Sequence, residues 1–307
     1  MRNTLVNLIH EQAKSNPDIY FLTGDLGYSV VENFMREFPA RCLNMGIAEQ
    51  GMMGAAAGLA LEGKKVFVYS IVPFATMRCL EQIRTDIALQ NLDVTIIGVG
   101  GGFAYGTLGP THHAVEDVAM LRAIPRMKIV CPSDPVSAQV LGRQILATSG
   151  PTYIRLNKGG EPALYLDPPA MELGKGFVLK SGKDAAILSS GAITQVALAA
   201  AELLEQEEIS AEVLDMATVK PMDEILIKDR LKERRVVVSL EEHSILGGFG
   251  SAVAELAAEH PGSAVFKRLG IPDTYSETFG SQQFLRQRHG LTAAAVAKEI
   301  RTLYDGI

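Results

Sequence analysis

Short runs of β-branched and apolar residues alternate with longer stretches of helical periodicity along nearly the whole chain, and this alternation restricts the fold more than any other feature. The runs are "IYFLT" (19–23), "KVFVYS" (65–70), "VTIIGV" (94–99), "KIVCP" (128–132) and "TYIRL" (152–156). Between them the spacing predicts helices near 3–14, 46–62, 76–89, 115–123 and 134–147. A strand that is apolar at nearly every position must be covered on both faces. These runs therefore belong to a parallel sheet with helices packed above and below it. Ser133-Asp134-Pro135 supplies a capping side chain and then a first-turn proline, which marks the start of the fifth helix.

From 161 to 184 the alternation lapses into Gly- and Pro-rich sequence, a linker with room for one short hairpin. A second series follows, with strands at 185–190, 211–215, 235–240 and 264–268 and helices at 192–207, 247–259 and 291–304. The expectation is α/β with two domains, 1–160 and 185–307, each a mainly parallel sheet flanked by helices. A chain of 307 residues is long enough to bury two such cores.

Charge narrows the partners. The net charge is −6, and the only dense cationic clusters, "LKERR" (231–235) and "LRQR" (285–288), read as solvated helix ends. Neither nucleic acid nor an anionic membrane is expected as a partner. No apolar run approaches the roughly 20 residues that span a bilayer. The acid-bearing helical pattern "MRNTLVNLIHEQAKSNPD" is unlike a targeting leader. Cys42, Cys79 and Cys131 lie far apart without metal-type spacing, so reduced core thiols in a cytoplasmic protein are expected.

Chemistry concentrates in three places. The stretch "LNMGIAEQGMMGAAAGLALEG" (43–63) sets a lone carboxylate, Glu49, at the head of an apolar helix. One reading is that the acid complements the helix dipole, worth roughly 0.3–1 kcal/mol. The other is that it is buried against something that exchanges a proton with it. Next, "GVGGGFAYGTLGP" (98–110) follows a strand end, where open parallel sheets place their ligand loops. It fits neither a dinucleotide fingerprint nor a Walker loop. Last, His112 and His113 in "THH" suit proton transfer or a hydrogen bond to a substrate oxygen. Their spacing supplies no metal site.

Four segments, "LNMGIAEQGMMGAAAGLA", "FATMRCLEQIRTDIAL", "GPTHHAVEDVAMLRAIPRMKIVCPSD" and "VVVSLEEHSILGGFGSAVAE", occur in an order and spacing that resemble the C-terminal half of transketolase across essentially the whole chain. The resemblance implies a pyrimidine-binding domain followed by a transketolase C-terminal domain, with thiamine diphosphate as cofactor. It implies that Glu49 hydrogen-bonds N1′ of the aminopyrimidine, favouring the tautomer whose 4′ nitrogen takes the proton from the thiazolium carbon. Desolvation of an acid in an apolar pocket would serve that proton sharing. Ile47 lies beside it in the cofactor motif, and Phe74 stands where the family stacks an aromatic ring on the pyrimidine. The small residues Gly46, Ala48, Gly51 and Gly54 would let a flat ring and a second subunit approach closely.

The resemblance also implies that His112 points toward the sugar. His113 replaces the usual glutamine, so either histidine could face substrate. Asp25, in "GDLG", matches an acid near the subunit interface and cofactor. Arg2 and Lys158 fall where the family sets cations against a sugar phosphate, Lys158 replacing an arginine and losing its bidentate fork. Leu108 takes the place of an aspartate that reads a donor hydroxyl, and the glycine run around Gly100 that of a histidine. Both departures remove polar partners and favour a modified or deoxy-ketose. In "EEHSILGGFGSAVAE", Glu242 and His243 are expected to pack or meet a subunit rather than to catalyse.

Nothing in the chain resembles the diphosphate-binding domain with its "GDG…N" metal motif. The expectation is therefore the second subunit of a split transketolase, transferring a two-carbon ketol unit from ketose to aldose in an α2β2 assembly. The partner chain would hold Mg²⁺ or Ca²⁺ and the cofactor phosphates. The alternatives are a 2-oxo acid dehydrogenase β-type subunit, a deoxyxylulose-phosphate synthase-like subunit, and a non-catalytic assembly module.

Overall fold

The computed structural model describes residues 1–307 and contains two sheets. The strands are β1 (Ile19–Thr23), β2 (Cys42–Asn44), β3 (Lys65–Ile71), β4 (Val94–Val99), β5 (Lys128–Val130), β6 (Thr152–Leu156), β7 (Phe177–Lys180), β8 (Ala185–Ser190), β9 (Ala211–Asp215), β10 (Thr218–Lys220), β11 (Val236–Ser244) and β12 (Val265–Ile271). The first sheet runs β10-β5-β6-β4-β3-β1-β2 and is parallel except for β10. The second runs β12-β11-β8-β9-β7 and is parallel except for β7. Every residue of β4, β6, β8 and β9 is buried, as an apolar strand covered on both faces requires.

Three strands escape the reading of the sequence, each for the same reason. β2, β7 and β10 are three or four residues long, too short to display a period. β7 lies inside the stretch expected as linker and pairs with β9. β10 follows β9 directly yet crosses to the first sheet, antiparallel to β5, so the two halves share a strand exchange. The expected helix 76–89 is also corrected. It is replaced by a short turn at Leu80–Gln82 and a π-helical turn at Ile83–Ala88, preceded by another short turn at Val72–Ala75. The first turn carries Phe74, and the backbone after it carries Arg78, across the head of helix Glu49–Leu61.

That helix buries Met52, Met53, Ala56, Ala57 and Ala60 against the sheet. Its opposite face, Gly51, Gly54 and Gly58, is exposed, and a Cβ at any of the three would meet nothing. Each such glycine costs about 1 kcal/mol of helix stability relative to alanine, a cost that no packing within this chain explains. Cys42, Cys79 and Cys131 are free thiols buried in the core. No helix is long and apolar enough to cross a membrane.

Candidate active site

Parallel register brings the carboxyl ends of four strands side by side. Thr23 pairs with Asn44 and with Tyr69, and Ser70 pairs with Gly98. Loops leaving such an edge are where open α/β sheets build sites. Glu49 enters this edge as the first residue of its helix, 2% exposed. Its carboxylate does not serve the helix terminus. Ser70 donates to Oε1 at 3.2 Å, and Arg78 Nη1 donates to Oε2 at 2.7 Å. The expectation of a purely apolar pocket is corrected here, because a buried carboxylate left unpaired would cost several kcal/mol and an arginine supplies the charge. Gly24 makes the fit: a Cβ there would sit 3.3 Å from both Glu49 Cγ and Ser70 Oγ.

Arg78 is only half-buried, with its side chain 42% exposed. Its guanidinium lies over the Phe74 ring, 4.6 Å from the centroid. Phe74 in turn meets His112 edge-on, with centroids 5.2 Å apart. Tyr105 lies beyond His112 at 6.5 Å, and Lys158 Nζ stands 5.3 Å over the Tyr105 ring. Burial raises the Tyr105 phenol, and the nearby charge of Arg2 pulls it back. Glu49, Arg78, Phe74, His112, Tyr105, Lys158 and Arg2 thus form one continuous strip.

Three neighbours are set apart. Asp25, at a left-handed φ of 53°, exchanges hydrogen bonds with Asn44: Asn44 Nδ2 donates to its carboxylate at 3.0 Å and its own N–H donates to Asn44 Oδ1 at 3.1 Å. Both Asp25 and Ile47 are exposed, Ile47 at 77%. His113 turns the other way from His112. It is 5% exposed, packs edge-on against Phe103, and shares a 3.4 Å contact with the Gly106 carbonyl. Burial lowers its pKa toward the neutral form. Of the two histidines expected near a substrate, His113 thus packs in the seam between the halves, where Phe103 also stacks on His289, and His112 lies beside Phe74.

Arg78, Ser70 and Tyr105 do not stand out in the sequence. Arg78 sits four residues past Phe74, a spacing that puts two side chains together only where the chain is coiled, and the helical pattern there is broken. Tyr105 is explained by Gly100, at φ +93°, where a Cβ would collide with the tyrosine ring. The glycine run thus makes room for an aromatic residue at the site's edge. Leu108, 53% exposed, caps the same loop.

Residues 1–161 match the transketolase pyrimidine-binding domain, and residues 174–296 match the transketolase C-terminal domain. An apulose-4-phosphate transketolase subunit of Phocaeicola vulgatus is 36% identical, over 97% of this chain and 95% of its own length. A 6-deoxy-6-sulfo-D-fructose transketolase subunit of Clostridium sp. is 37% identical, over 97% and 92%. A 1-deoxy-D-xylulose-5-phosphate synthase of Chlorobium phaeovibrioides is 39% identical, but this chain spans 47% of it. Among solved structures, a split gene transketolase described as an inactive β4 tetramer superposes with a TM-score of 0.89 at 37% identity, over 99% of this chain and 97% of that one. The fold, the order of the two domains and these near full-length relatives agree, and the chain belongs to the transketolase family.

Proposed function

We propose that this chain is the pyrimidine-binding and C-terminal subunit of a split, thiamine diphosphate-dependent transketolase. It transfers a two-carbon ketol unit from a phosphorylated or modified ketose to an aldose, in the cytoplasm. Its pyrimidine-binding unit is residues 1–160 and its C-terminal unit residues 185–307. The diphosphate and its Mg²⁺ or Ca²⁺ belong to a separate chain in an α2β2 assembly. The observation that carries the reading is the Glu49 carboxylate, only 2% exposed yet held by a half-exposed, planar, cationic partner lying over an aromatic ring.

The residues present fit an aminopyrimidine. A buried carboxylate suits a ring nitrogen that carries a proton, Phe74 offers a flat apolar face, and Gly24 clears the space beside them. The cofactor, when bound, supplies the electron sink that stabilises a carbanion. Glu49 holds the proton at the ring nitrogen, and Phe74 orients the ring. His112, beside Phe74, hydrogen-bonds a sugar oxygen or moves its proton. Lys158 and Arg2 attract an anionic group at the far end of the sugar. Asp25, Ile47 and the open glycine face of helix Glu49–Leu61 meet the partner chain. An atypical ketose is supported by Leu108 and by the two relatives, whose names specify apulose 4-phosphate and a sulfo-deoxyfructose. Reliance on a second chain is supported by the neighbour described as inactive when built of four β chains.

The test is reconstitution. Mixed with the diphosphate-binding chain of the same organism, the protein is expected to transfer ketol units between phosphorylated sugars, whereas alone it turns over nothing. Glu49→Gln is expected to lower the rate of the mixture on the order of 100-fold or more, the scale of a lost proton-transfer group. Transfer by the isolated chain, or indifference to Glu49→Gln, overturns the proposal.

A further inference from the structure

Arg78 makes two contacts at once, and they are the two that an aminopyrimidine would need. One N–H of its guanidinium meets Glu49 Oε2 at 2.7 Å, and its Cζ lies over the Phe74 ring, 4.6 Å from the centroid. A guanidinium is flat, delocalised and cationic, and it presents N–H groups along an edge. A protonated amidine edge on a heteroaromatic ring has the same features. The two groups compete for one carboxylate oxygen and one aromatic side chain.

The burial of the pair is lopsided. Glu49 is anchored by Ser70 and by the wall at Gly24, whereas 42% of the Arg78 side chain remains in water. One member is fixed and the other can leave. Without Arg78, Glu49 would retain a single 3.2 Å hydrogen bond from a serine, poor compensation for a charge removed from solvent. The chain therefore needs a counter-cation here whenever no ligand provides one.

We infer that Arg78 is a displaceable internal stand-in for the cofactor's pyrimidine: it neutralises Glu49 and covers Phe74 in the free chain, and it must swing into solvent before the ring can bind. This rests on the reading of Glu49 as the pyrimidine's partner. The arrangement keeps the acid paired and ordered before assembly. It also lowers apparent affinity by the fraction of time that the arginine is already out.

The full-length chain and the free pyrimidine half of the vitamin, 4-amino-5-hydroxymethyl-2-methylpyrimidine, provide the test. Binding is followed by ligand-detected NMR titration, and thermal unfolding is recorded alongside. Arg78→Met keeps the apolar stem and removes the competitor. It is expected to bind the pyrimidine about three- to tenfold more tightly than the unaltered chain, the gain from freeing a competent state populated at roughly a tenth to a third. The same variant should unfold at a lower temperature without ligand and recover more on adding it. Arg78→Lys, which keeps the charge but not the flat fork, should bind the pyrimidine with intermediate affinity, and it carries the test if the methionine variant does not fold. Adding Glu49→Gln to Arg78→Met should abolish the gain.

If the unaltered chain binds the pyrimidine through Glu49 but Arg78→Met binds equally or more weakly, the stand-in is wrong and the assignment of Glu49 survives. If no variant binds the pyrimidine, or binding ignores Glu49→Gln, both fall together.

Discussion

Two buried glutamates, Glu49 and Glu242, show how differently one side chain is used in two parts of this molecule. Glu242 lies in the seam between the halves, 4% exposed, and its oxygens are saturated. The Phe103 N–H donates to it at 2.9 Å, Gln282 Nε2 at 2.9 Å, and Arg286 through Nε at 3.0 Å and Nη2 at 2.5 Å. Those donors come from both halves, and Arg286 is itself buried. Glu49 has one long hydrogen bond from a serine and one ion pair with a side chain that reaches in from solvent. Burial alone therefore does not distinguish the two acids. What separates the two is whether the cationic partner is itself buried: Arg286 is, whereas the Arg78 side chain is 42% exposed.

The largest effect expected from this contrast is on stability. Glu242→Ala strands the Arg286 cation in the seam and removes the brace on Phe103, at about 3–5 kcal/mol, the usual cost of breaking a buried pair. Glu49→Gln keeps the shape and releases Arg78 to water, so it should cost much less. Urea unfolding of the two variants checks this, and equal losses would erase the distinction. The seam is reinforced nearby, where Asp117 accepts from Tyr153 at 2.6 Å and from Arg155 at 2.8 Å. Arg155 Nη2 also donates to the carbonyls of Ala114 and Glu242.

A third acid falls between these extremes. Asp215, at the end of β9, is fully buried and accepts from Ser133 at 2.5 Å and from Tyr165 at 2.7 Å, while its Oδ1 has no partner. No cation neutralises it. Burial pushes its pKa up to about 7, the Ser133 and Tyr165 hydrogen bonds pull the other way, and neighbouring Asp134 adds to the rise. The folded chain thus binds more protons here than the unfolded one between about pH 4 and 7. This contribution to stability is greatest below the unfolded pKa and falls as pH rises through that window, by on the order of 2–4 kcal/mol. Asp215→Asn should flatten the slope in that range. An unchanged slope in denaturant titrations from pH 4 to 8 would contradict the assignment.

Legibility in the sequence followed length and locality. β1, β4 and β6 fall where their apolar runs predict, and the Asp134 cap works as read, its carboxylate accepting from the Ser137 N–H at 2.7 Å. A cap is decided by neighbouring residues. The Glu49–Arg78 pair joins residues 29 apart in sequence, through a segment whose helical period is broken, and nothing local announces it. His112 and His113 are adjacent and chemically alike, so only the packing of Phe103 and His289 separates their surroundings. The glutamate itself was legible because a charge in an apolar helix is conspicuous. Its partner was not, because an arginine near a surface is ordinary.

Phe74 sets the smallest effect and the finest version of the comparison. Its ring lies under Arg78 and, on the proposed reading, would stack on the cofactor's pyrimidine, so replacing it should weaken both contacts. An aromatic contact is worth about 0.5–1.5 kcal/mol beyond area burial, and a cation over a ring at an exposed site about 0.5–1. Phe74→Leu should therefore weaken pyrimidine binding only about two- to fivefold, because the loss of the stack is partly offset by looser retention of Arg78. In an Arg78→Met background the offset disappears, and the same change should cost about tenfold at the upper end of that range. A larger penalty in the double variant than in the single one is what two groups sharing one aromatic face require. Equal penalties would place the arginine and the pyrimidine on different surfaces.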